Sequence, residues 1–416
     1  MASKKINSLN ELFQVKLGDK FEVKNDLQAL ALNQCEMHNP KNKHSLWQKL
    51  GLGSMPEEVL ELYKNEDRWK PSVDMMQEDG LHLVWVDGVY DSDLSQKSEH
   101  VKIRAVSKID ESLESAWLIF LQCLPKQEIT AALPIALSDQ WTLMSIQANA
   151  TVHVHHVLTG ASSLVTLNKQ LQVAKNTTVN IVNHIHVKGQ KEVVLICNRG
   201  LDLDQGSKVE DEFVEKVPEH VSIFQTQKTV VDREGQYNNY HLSTGGRVVR
   251  NYHQVDLNGK QAHSEFHGVC LGANQDKLDQ TILLKHNNES TYSTQIYRNV
   301  ARLKALTSFS SRVYVKQGVS NIQSQQLNHN LLIDKGAHMI SEPELEIYAD
   351  EVECAHGSTV GQIDEKSLFY MQSRGLSEKL AKALLIKGFI AEQISEFPVK
   401  RQDRAFEIAN IYLESL

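Results

Sequence analysis

The sequence lacks the cysteine patterns that mark several familiar classes of protein. It contains five cysteines and no Cys-x-x-Cys pair, which excludes zinc ribbons, ferredoxin-like ligand runs and thioredoxin-like redox motifs. The odd number and wide spacing of these cysteines also argue against a disulfide framework. A metal or cluster site in this chain must therefore use few cysteine ligands, or be completed by a second chain.

The chain also lacks a basic excess and long apolar runs. Its formal net charge is −8 at pH 7, so it has no surplus of positive charge to neutralise phosphates, and we expect no nucleic-acid partner. No apolar run approaches the ~18 residues that are needed to cross a bilayer. The first residues, MASKKINSLNELF, lack the apolar segment of a secretory signal. We therefore expect a cytoplasmic protein that does not insert into membranes.

Motifs for nucleotide binding and hydrolysis are missing as well. The sequence has no Gly-x-x-x-x-Gly-Lys-Ser phosphate loop, no Gly-x-Gly-x-x-Gly opening a helix and no Gly-x-Ser-x-Gly elbow. We therefore expect a protein without enzymatic activity of its own, and any dependence on ATP must come from a partner.

What is present is a long block that is rich in Val, Ile and Thr, between two helical regions. We predict a mainly helical N-terminal region over residues 1–100, which includes a tight turn at Asp87-Gly88. A β core is predicted over 101–358 and a C-terminal helical domain over 359–416. Many short strands in one block are typical of a barrel, a stacked sandwich or a β-helix. No strict repeat period is visible, so the pattern alone leaves these architectures open.

The C-terminal region carries clear signals for helix starts. Asp364 and Ser377 are suited to cap two helices, Gly388 is expected to end the second, and Pro398 is expected to open a third. The region is too small to bury all of its apolar faces alone. It must therefore dock on the β core, on a partner, or on both.

The segment from Ile347 to Ile394 is the most informative part of the chain. It places Cys354 two residues before His356, continues with Gly-Ser-Thr-Val-Gly, and leads into Leu-Phe-Tyr and Ser-Arg-Gly. This order resembles the SufD family of iron–sulfur cluster assembly proteins, and the resemblance extends back to about Leu242. Ala355 and Ser358 are small-for-small departures from the family pattern. Gln280 departs further, because family members often carry a histidine at that position.

The resemblance implies a right-handed parallel β-helix flanked by helical regions, and a scaffold subunit. It implies pairing with the paralogue SufB and binding of SufC, an ABC-type ATPase, through the C-terminal helices. The isolated chain would hold no tightly bound cofactor, iron or a cluster would visit the site only within the complex, and flavin binding is left open. A homodimer of the isolated chain is compatible with the sequence. Residues predicted to contact the ATPase are Leu368, Phe369, Arg374, Leu380, Leu384, Phe389 and Phe406.

Cys354 and His356 are the predicted transient metal ligands. Residues i and i+2 of a strand point to the same face, and a thiolate beside an imidazole suits iron. Two ligands cannot close a tetrahedral site, and the resemblance implies that SufB supplies the rest at the interface. A buried thiol with a hydrogen-bonded imidazole is the purely structural alternative.

Further histidines leave a second hypothesis open. If two His-x-His strands are neighbours, four imidazoles cluster and could form a metal site, which would suit a metal-dependent β-solenoid or cupin-like enzyme. The purely structural alternative is a solvated polar face. The two His-x-His pairs are His153 with His155 and His184 with His186. A third group, His253, His263 and His267, is interpreted as polar ladders rather than a catalytic triad.

Overall fold

The structure is a computed structural model that describes residues 30–31, 78–107, 111–123, 129–138, 140–162 and 164–416. Most of the expected N-terminal helical region lies outside the described residues. Among the described residues, no helix is long and apolar enough to cross a membrane.

Nineteen strands form two long sheets within the described part of the chain. The first half comprises β1 (Leu81–Val86), β2 (Val89–Tyr90), β3 (Val101–Val106), β4 (Trp141–Ile146), β5 (Ala150–Leu158), β6 (Leu164–Val173), β7 (Thr178–Val187), β8 (Val193–Leu203), β9 (Lys208–Val217) and β10 (Val221–Val231). The second half comprises β11 (Gln236–Gly245), β12 (Val248–Leu257), β13 (His263–Gly272), β14 (Lys277–His286), β15 (Tyr292–Ala301), β16 (Leu306–Val315), β17 (Ile322–Leu332), β18 (His338–Ile347) and β19 (Val352–Gln362).

From β4 onward, successive strands alternate between the two sheets, so the chain winds as a parallel β-solenoid of about 8 turns. The ten-stranded sheet runs from β19 through the odd-numbered strands to β5 and then to β1 and β2. The nine-stranded sheet runs from β18 through the even-numbered strands to β4 and then to β3. This arrangement confirms the mainly β, β-helix class that was predicted. A solenoid needs no separate domains at this size, because each turn buries its face on the next.

The length of a turn varies along the solenoid, which explains why no repeat period is visible in the sequence. Gln236 pairs with His263, whereas Tyr292 pairs with Gln323 on a longer turn. Asn176, Asn274 and Asn321 adopt positive φ angles at the bends, a conformation that asparagine tolerates better than most residues. The bends therefore use similar chemistry at unequal spacing.

Antiparallel strands close the N-terminal end of the solenoid. β1 and β2 form a hairpin whose turn, Asp87-Gly88, has positive φ at both positions, as the Asp-Gly signal predicted. β3 pairs antiparallel with β4 at the end of the other sheet. Two helices, α1 (Glu111–Cys123) and α2 (Ile129–Leu137), lie in this part of the chain, and α2 packs on β6 and β8.

The interior of the solenoid combines an apolar core with buried polar groups. Inward-facing Val, Leu and Ile residues of successive turns stack into one core cluster, as alternating burial on a pleated strand requires. Arg199 is buried and bonds to Asp211 and Gln227, while Tyr237 donates a hydrogen bond to Asp211 at 2.7 Å. The buried guanidinium is therefore paired, as its desolvation demands.

Three helices follow β19: α3 (Glu365–Ser373), α4 (Glu378–Ile394) and α5 (Val399–Glu414). Asp364 and Ser377 cap α3 and α4 by accepting hydrogen bonds from backbone N–H groups, and α5 starts directly after Pro398, as predicted. The expected stop at Gly388 is wrong, because α4 continues for six more residues. A Cβ added at Gly388 would meet no atom within 4 Å, so this glycine neither ends the helix nor accommodates a close neighbour.

Two boundaries of the predicted regions differ from the strand limits. Strand pairing starts at Leu81, inside the expected helical region 1–100, and β19 runs to Gln362, past the expected core end at 358. The first difference arises because the β1–β2 hairpin pairs with β5 and so belongs to the solenoid. Helices α1 and α2 also fall inside the expected core, where they cover one face of the even-numbered strands.

Candidate functional site

Cys354 and His356 lie on the last strand of the ten-stranded sheet. In the parallel register, Cys354 pairs with Ser324 and His356 with Gln326 on β17. Ser324 and Gln326 are buried inside the solenoid, and paired residues of in-register parallel strands point to the same side. Cys354 and His356 therefore share the inward face of the final turn, as predicted for residues two apart on a strand.

The two side chains differ in exposure. Cys354 is half-buried and packs against the end of the core cluster, and burial raises the pKa of its thiol. His356 is exposed and makes no hydrogen bond to any described residue. Cys354 therefore is a protonated thiol in the isolated chain, and a bound cation would be needed to stabilise its thiolate.

The strand that carries this pair has an open edge. Among the described strands, β19 pairs only with β17, and β18 pairs only with β16. The outer backbone groups of both strands thus have no strand neighbour in the described chain, and Ile340, Tyr348 and Val360 are exposed nearby. An open edge of this length is a template for another strand unless something covers it.

Cys354 and His356 do not form a complete metal site alone. Within the described ranges, no group of three or more His, Cys, Asp or Glu residues is placed to hold a metal ion. Two ligands leave a tetrahedral ion half coordinated. The pair can therefore act as a ligand set only together with donors from another molecule, and its metal role stays a prediction.

The residues predicted to contact the ATPase divide into two groups. Phe369 is 72% exposed, Leu380 47% and Leu384 43%. Leu368 is half-buried, and the guanidinium of Arg374 lies 5.2 Å from the centre of the Tyr370 ring. The exposed apolar side chains of this group form a surface that the described residues leave uncovered.

Phe389 and Phe406 instead hold the helices on the solenoid. Both are half-buried against the cluster between α4, α5 and the odd-numbered strands. The guanidinium of Arg298 lies 5.1 Å from the Phe389 ring and donates a hydrogen bond to the Phe389 carbonyl at 3.0 Å. The sequence pattern could not separate these inward aromatics from the exposed ones, because both kinds lie on amphipathic helices.

A second constellation lies on the outer face of the ten-stranded sheet. β5 and β7 are neighbours, so the two His-x-His pairs cluster, as the conditional prediction required, and His82 of β1 joins them. The Nδ1 atoms of His153 and His155 lie 3.1 and 2.9 Å from the Nε2 atoms of His184 and His186. The rings form an imidazole cluster of stacked planes: His82, His153, His155, His184 and His186.

Backbone carbonyls set the direction of hydrogen bonding in the imidazole cluster. Nε2 of His82 lies 2.9 Å from the Glu78 carbonyl, and Nε2 of His153 lies 3.3 Å from the Asp79 carbonyl. A carbonyl only accepts, so both nitrogens carry a hydrogen, and in the neutral rings both Nδ1 atoms accept from the next ring. The sequence showed no carboxylate on β5 or β7, yet the structure brings Glu215 of β9 to 3.5 Å from Nδ1 of His184.

These contacts weigh against the hypothesis of a His-based metal enzyme. His82 Nδ1 lies 2.9 Å from His155 Nε2, in addition to the two contacts between β5 and β7, so neighbouring rings use their nitrogens on one another. The contacts are those of a hydrogen-bonded ladder of imidazoles. The alternative of a solvated face does not hold for His153 and His155, which are buried, whereas His184 and His186 are half-buried.

The third histidine group forms polar links rather than a catalytic triad, as interpreted from the sequence. His263 and His267 both contact Glu265, at 2.8 and 3.3 Å, and these hydrogen bonds lower the pKa of Glu265. His267 Nδ1 lies 2.9 Å from Nε2 of Gln393 on α4. His253 is buried inside the solenoid.

Comparison with known proteins places this architecture in a family. Residues 144–389, more than half of the chain, match the model of the SUF system FeS cluster assembly SufBD core domain. The chain belongs to the SufBD family. The matched residues run from within β4 into α4, so they include most of both solenoid sheets, the open edge, Cys354 and His356.

Individual relatives of the SufBD family agree with this assignment. The chain is 34% identical over 148 residues to the iron–sulfur cluster assembly protein SufD of Escherichia coli (strain K12), which covers 36% of this chain and 35% of that protein. It is 29% identical over 259 residues, 62% of this chain, to a SufBD family protein of Synechocystis sp.. It is 31% identical over 170 residues, 40% of this chain, to the chloroplastic protein ABCI7 of Arabidopsis thaliana.

The SufD-type resemblance that was identified in the Cys354 segment is thus confirmed. The chain spans about a third to a half of the length of these relatives, 35%, 52% and 35% respectively. Arg401 and the rest of α5 lie outside the SufBD core match. The surroundings of α5 must therefore be understood from this chain's own contacts.

Proposed function

We propose that this SufBD-family chain is a non-enzymatic scaffold subunit of iron–sulfur cluster assembly, which pairs with a SufB-type paralogue and binds a SufC-type ATPase. The observation that carries the proposal is the open edge of β18 and β19 with Cys354 and His356 on its inward face. We expect a paralogue with the same solenoid fold to end in an equivalent edge, through which the two molecules would join.

Strand addition suits this edge. Backbone hydrogen bonds to β18 and β19 would supply affinity, and side chains at alternate positions would supply specificity. β18 carries Glu342, Glu344 and Glu346, of which Glu344 is already paired with Arg312 at 2.7 Å. Adjacent carboxylates repel an identical edge in the same register, which favours a partner of different sequence over a second copy of this chain.

At the proposed interface with the paralogue, the substrate is iron. A thiolate and a neutral imidazole bind iron well, and ligands from the paralogue would complete the coordination. Because Cys354 is protonated while its surroundings are apolar, binding of iron releases a proton. Iron or a nascent cluster would therefore be held only while both chains are joined.

The paralogue contact is tested with a matched pair of valines. Val360 of β19 is 53% exposed at the open edge, and Val89 of β2 is 50% exposed at the opposite end of the solenoid. The chain is co-expressed with the SufB-type and SufC-type proteins, and the mass of the complex is measured after size exclusion. Val360→Lys is expected to remove the paralogue, and Val89→Lys to leave the complex intact. Equal retention of the paralogue by both variants would contradict the proposal.

The ATPase contact is tested with a matched pair of leucines. Leu384 on α4 and Leu303 at a bend of the solenoid are both 43% exposed. A hydrophobic cavity of about 360 Å³ beside Leu384 is lined by residues of α4 and α5. Leu384→Lys is expected to abolish co-purification of the ATPase, because it places a charge in an apolar contact. Leu303→Lys serves as the control, and loss of the ATPase from both variants would refute a localised docking surface.

A further inference from the structure

The imidazole cluster lines a cavity of about 300 Å³ between the ten-stranded sheet and α5. Glu78 and Arg401 reach the same cavity from residues far apart in the chain, and Gly80 packs directly against His153, where an added Cβ would lie 2.8 Å from a ring carbon. The imidazoles are therefore covered by the segment before β1 on one side and by α5 on the other.

Two arginines attach α5 to this site. Arg401 bonds to Glu212 of β9 and to Glu78, at 2.5 Å in each case. Arg404 lies 3.7 Å from the second oxygen of Glu215, the carboxylate whose first oxygen faces His184 at 3.5 Å. Glu215 thus lies between an arginine of α5 and an imidazole of β7, too far from each for a full hydrogen bond.

We propose that the imidazole cluster is a proton-operated latch, which holds α5 on the solenoid while the rings are neutral and releases it when they gain protons. In the neutral cluster Nδ1 of His184 is an acceptor, so it does not attract the Glu215 carboxylate, which remains available to Arg404. A proton on this nitrogen turns it into a donor beside the carboxylate. Glu215 is then drawn to β7, and positive charge builds up next to Arg401 and Arg404.

The charged and titratable groups around the cavity set the direction of this response. Those that face it from the surrounding elements are Glu78 and Asp79 before β1, His82, His153, His155, His184, His186, Glu212 and Glu215 of the sheet, and Arg401, Arg404 and Glu407 of α5. Burial and the neighbouring rings lower the pKa of His153 and of His186 to about 4. His153 and His186 are therefore neutral when α5 is docked at pH 7.

Release of α5 exposes the rings on the side of the cavity, and an imidazole in water has a pKa of about 6.5. At pH 5, a ring such as His186, with a pKa of about 4 in the docked state, favours the released state by at most roughly thirtyfold, the factor for a ring that becomes fully hydrated. Glu212 acts in the opposite direction. Burial raises the pKa of its carboxyl group to about 7, so the docked state binds a proton at a higher pH than the released state does, and acid favours docking through this residue. Several imidazoles act against this one carboxyl, so the net effect of acid is release.

The test is hydrogen exchange of the full-length chain at pH 7.5 and pH 5.0, corrected for the intrinsic pH dependence of amide exchange and read by mass spectrometry. Protection of α5 is expected to fall at least about tenfold at pH 5.0, the factor of one pKa unit, while β10 to β16 stay protected. His184→Gln/His186→Gln is expected to lose most of this response, because it removes the ring that faces Glu215. His338→Gln, at an exposed histidine on β18, is expected to keep it.

A second variant decides the question if the double histidine variant does not fold. Arg401→Gln removes two ion pairs between α5 and the site, so α5 should exchange faster than in the wild type at pH 7.5. Protection of α5 that is independent of pH in the wild type, an unchanged response in His184→Gln/His186→Gln, or wild-type protection in Arg401→Gln would each overturn the latch. Stoichiometric Zn²⁺ binding that the double variant loses would overturn it as well, because the ring nitrogens would then be ligands.

Discussion

Replacing His356 with alanine should separate function from stability. The imidazole is exposed and makes no hydrogen bond to any described residue, so its removal leaves neither a cavity nor an unpaired buried group. The strand keeps its backbone bonds to β17, and the change from His to Ala on an edge strand alters only a modest conformational preference. We therefore expect the free energy of unfolding to fall by less than about 1 kcal/mol.

Function should respond far more strongly to the same change. A set of two ligands has no redundancy, so loss of the imidazole removes half of the ligands that we propose this chain contributes to the metal site. The assay is complementation of a strain that depends on this assembly system, with the melting temperature and complex formation measured in parallel. His338→Ala is the matched control, because His338 is an exposed histidine on the neighbouring edge strand. His356→Cys should restore part of the activity, since a thiolate also binds iron.

Two results would refute this reasoning. Full complementation by His356→Ala would show that the imidazole is not a ligand. Loss of complementation together with a collapsed melting temperature would show that the ring supports the fold. Only an intact complex that has lost cluster production agrees with the proposed role.

Three further predictions follow from the buried and half-buried groups. Cys354→Ala should act in the same direction as His356→Ala in complementation but more mildly, if the paralogue supplies a thiolate; wild-type cluster yield would contradict a ligand role. Asp211→Ala should cost about 3–5 kcal/mol in chemical denaturation, because it leaves Arg199 buried without its partner, and a loss below 1 kcal/mol would contradict the ion pair. Burial raises the pKa of Asp276 to about 6, so its protonated form is favoured by folding and this stabilisation is lost as the pH rises through 6. Asp276→Asn should therefore raise the unfolding free energy at pH 8, by up to about 3 kcal/mol, and leave it unchanged at pH 4.

Local signals in the sequence predicted local structure well. The caps at Asp364 and Ser377, the start after Pro398 and the turn at Asp87-Gly88 were all identifiable, because each depends on neighbouring residues. Gly388 was misjudged, since its low helix propensity is outweighed by the packing of Ile386 and Ile390 on either side. The β-helix itself was not evident from periodicity, because the bends vary in length, and it came from the resemblance of the Cys354 segment.

Contacts between distant parts of the chain could not be predicted from the sequence. The clustering of two His-x-His pairs was conditional on their strands being neighbours, and the register of β5 and β7 supplied that condition. The part played by Glu215, Arg401 and Glu78 had no sequence signal, since Arg401 and Glu78 are 323 residues apart. Sequence reasoning could also not tell Phe389, which packs inward, from Phe369, which is exposed.

The positions of the two proposed contact surfaces limit how one can influence the other. Helix α3 begins three residues after β19 ends, so the strand with Cys354 and His356 leads directly into the helices. Helices α4 and α5 then fold back over the odd-numbered strands, where Arg298 bonds to Phe389 and Arg302 donates to Ser415 at 2.6 Å. A partner that grips α4 and α5 without loosening these bonds moves the solenoid as a rigid body and acts on the open edge as a whole. A partner that loosens them transmits its effect through the short link at Asp364 instead. Differential affinity for the docked and released helices is therefore what an ATPase would need to regulate the Cys354 site without displacing the whole scaffold.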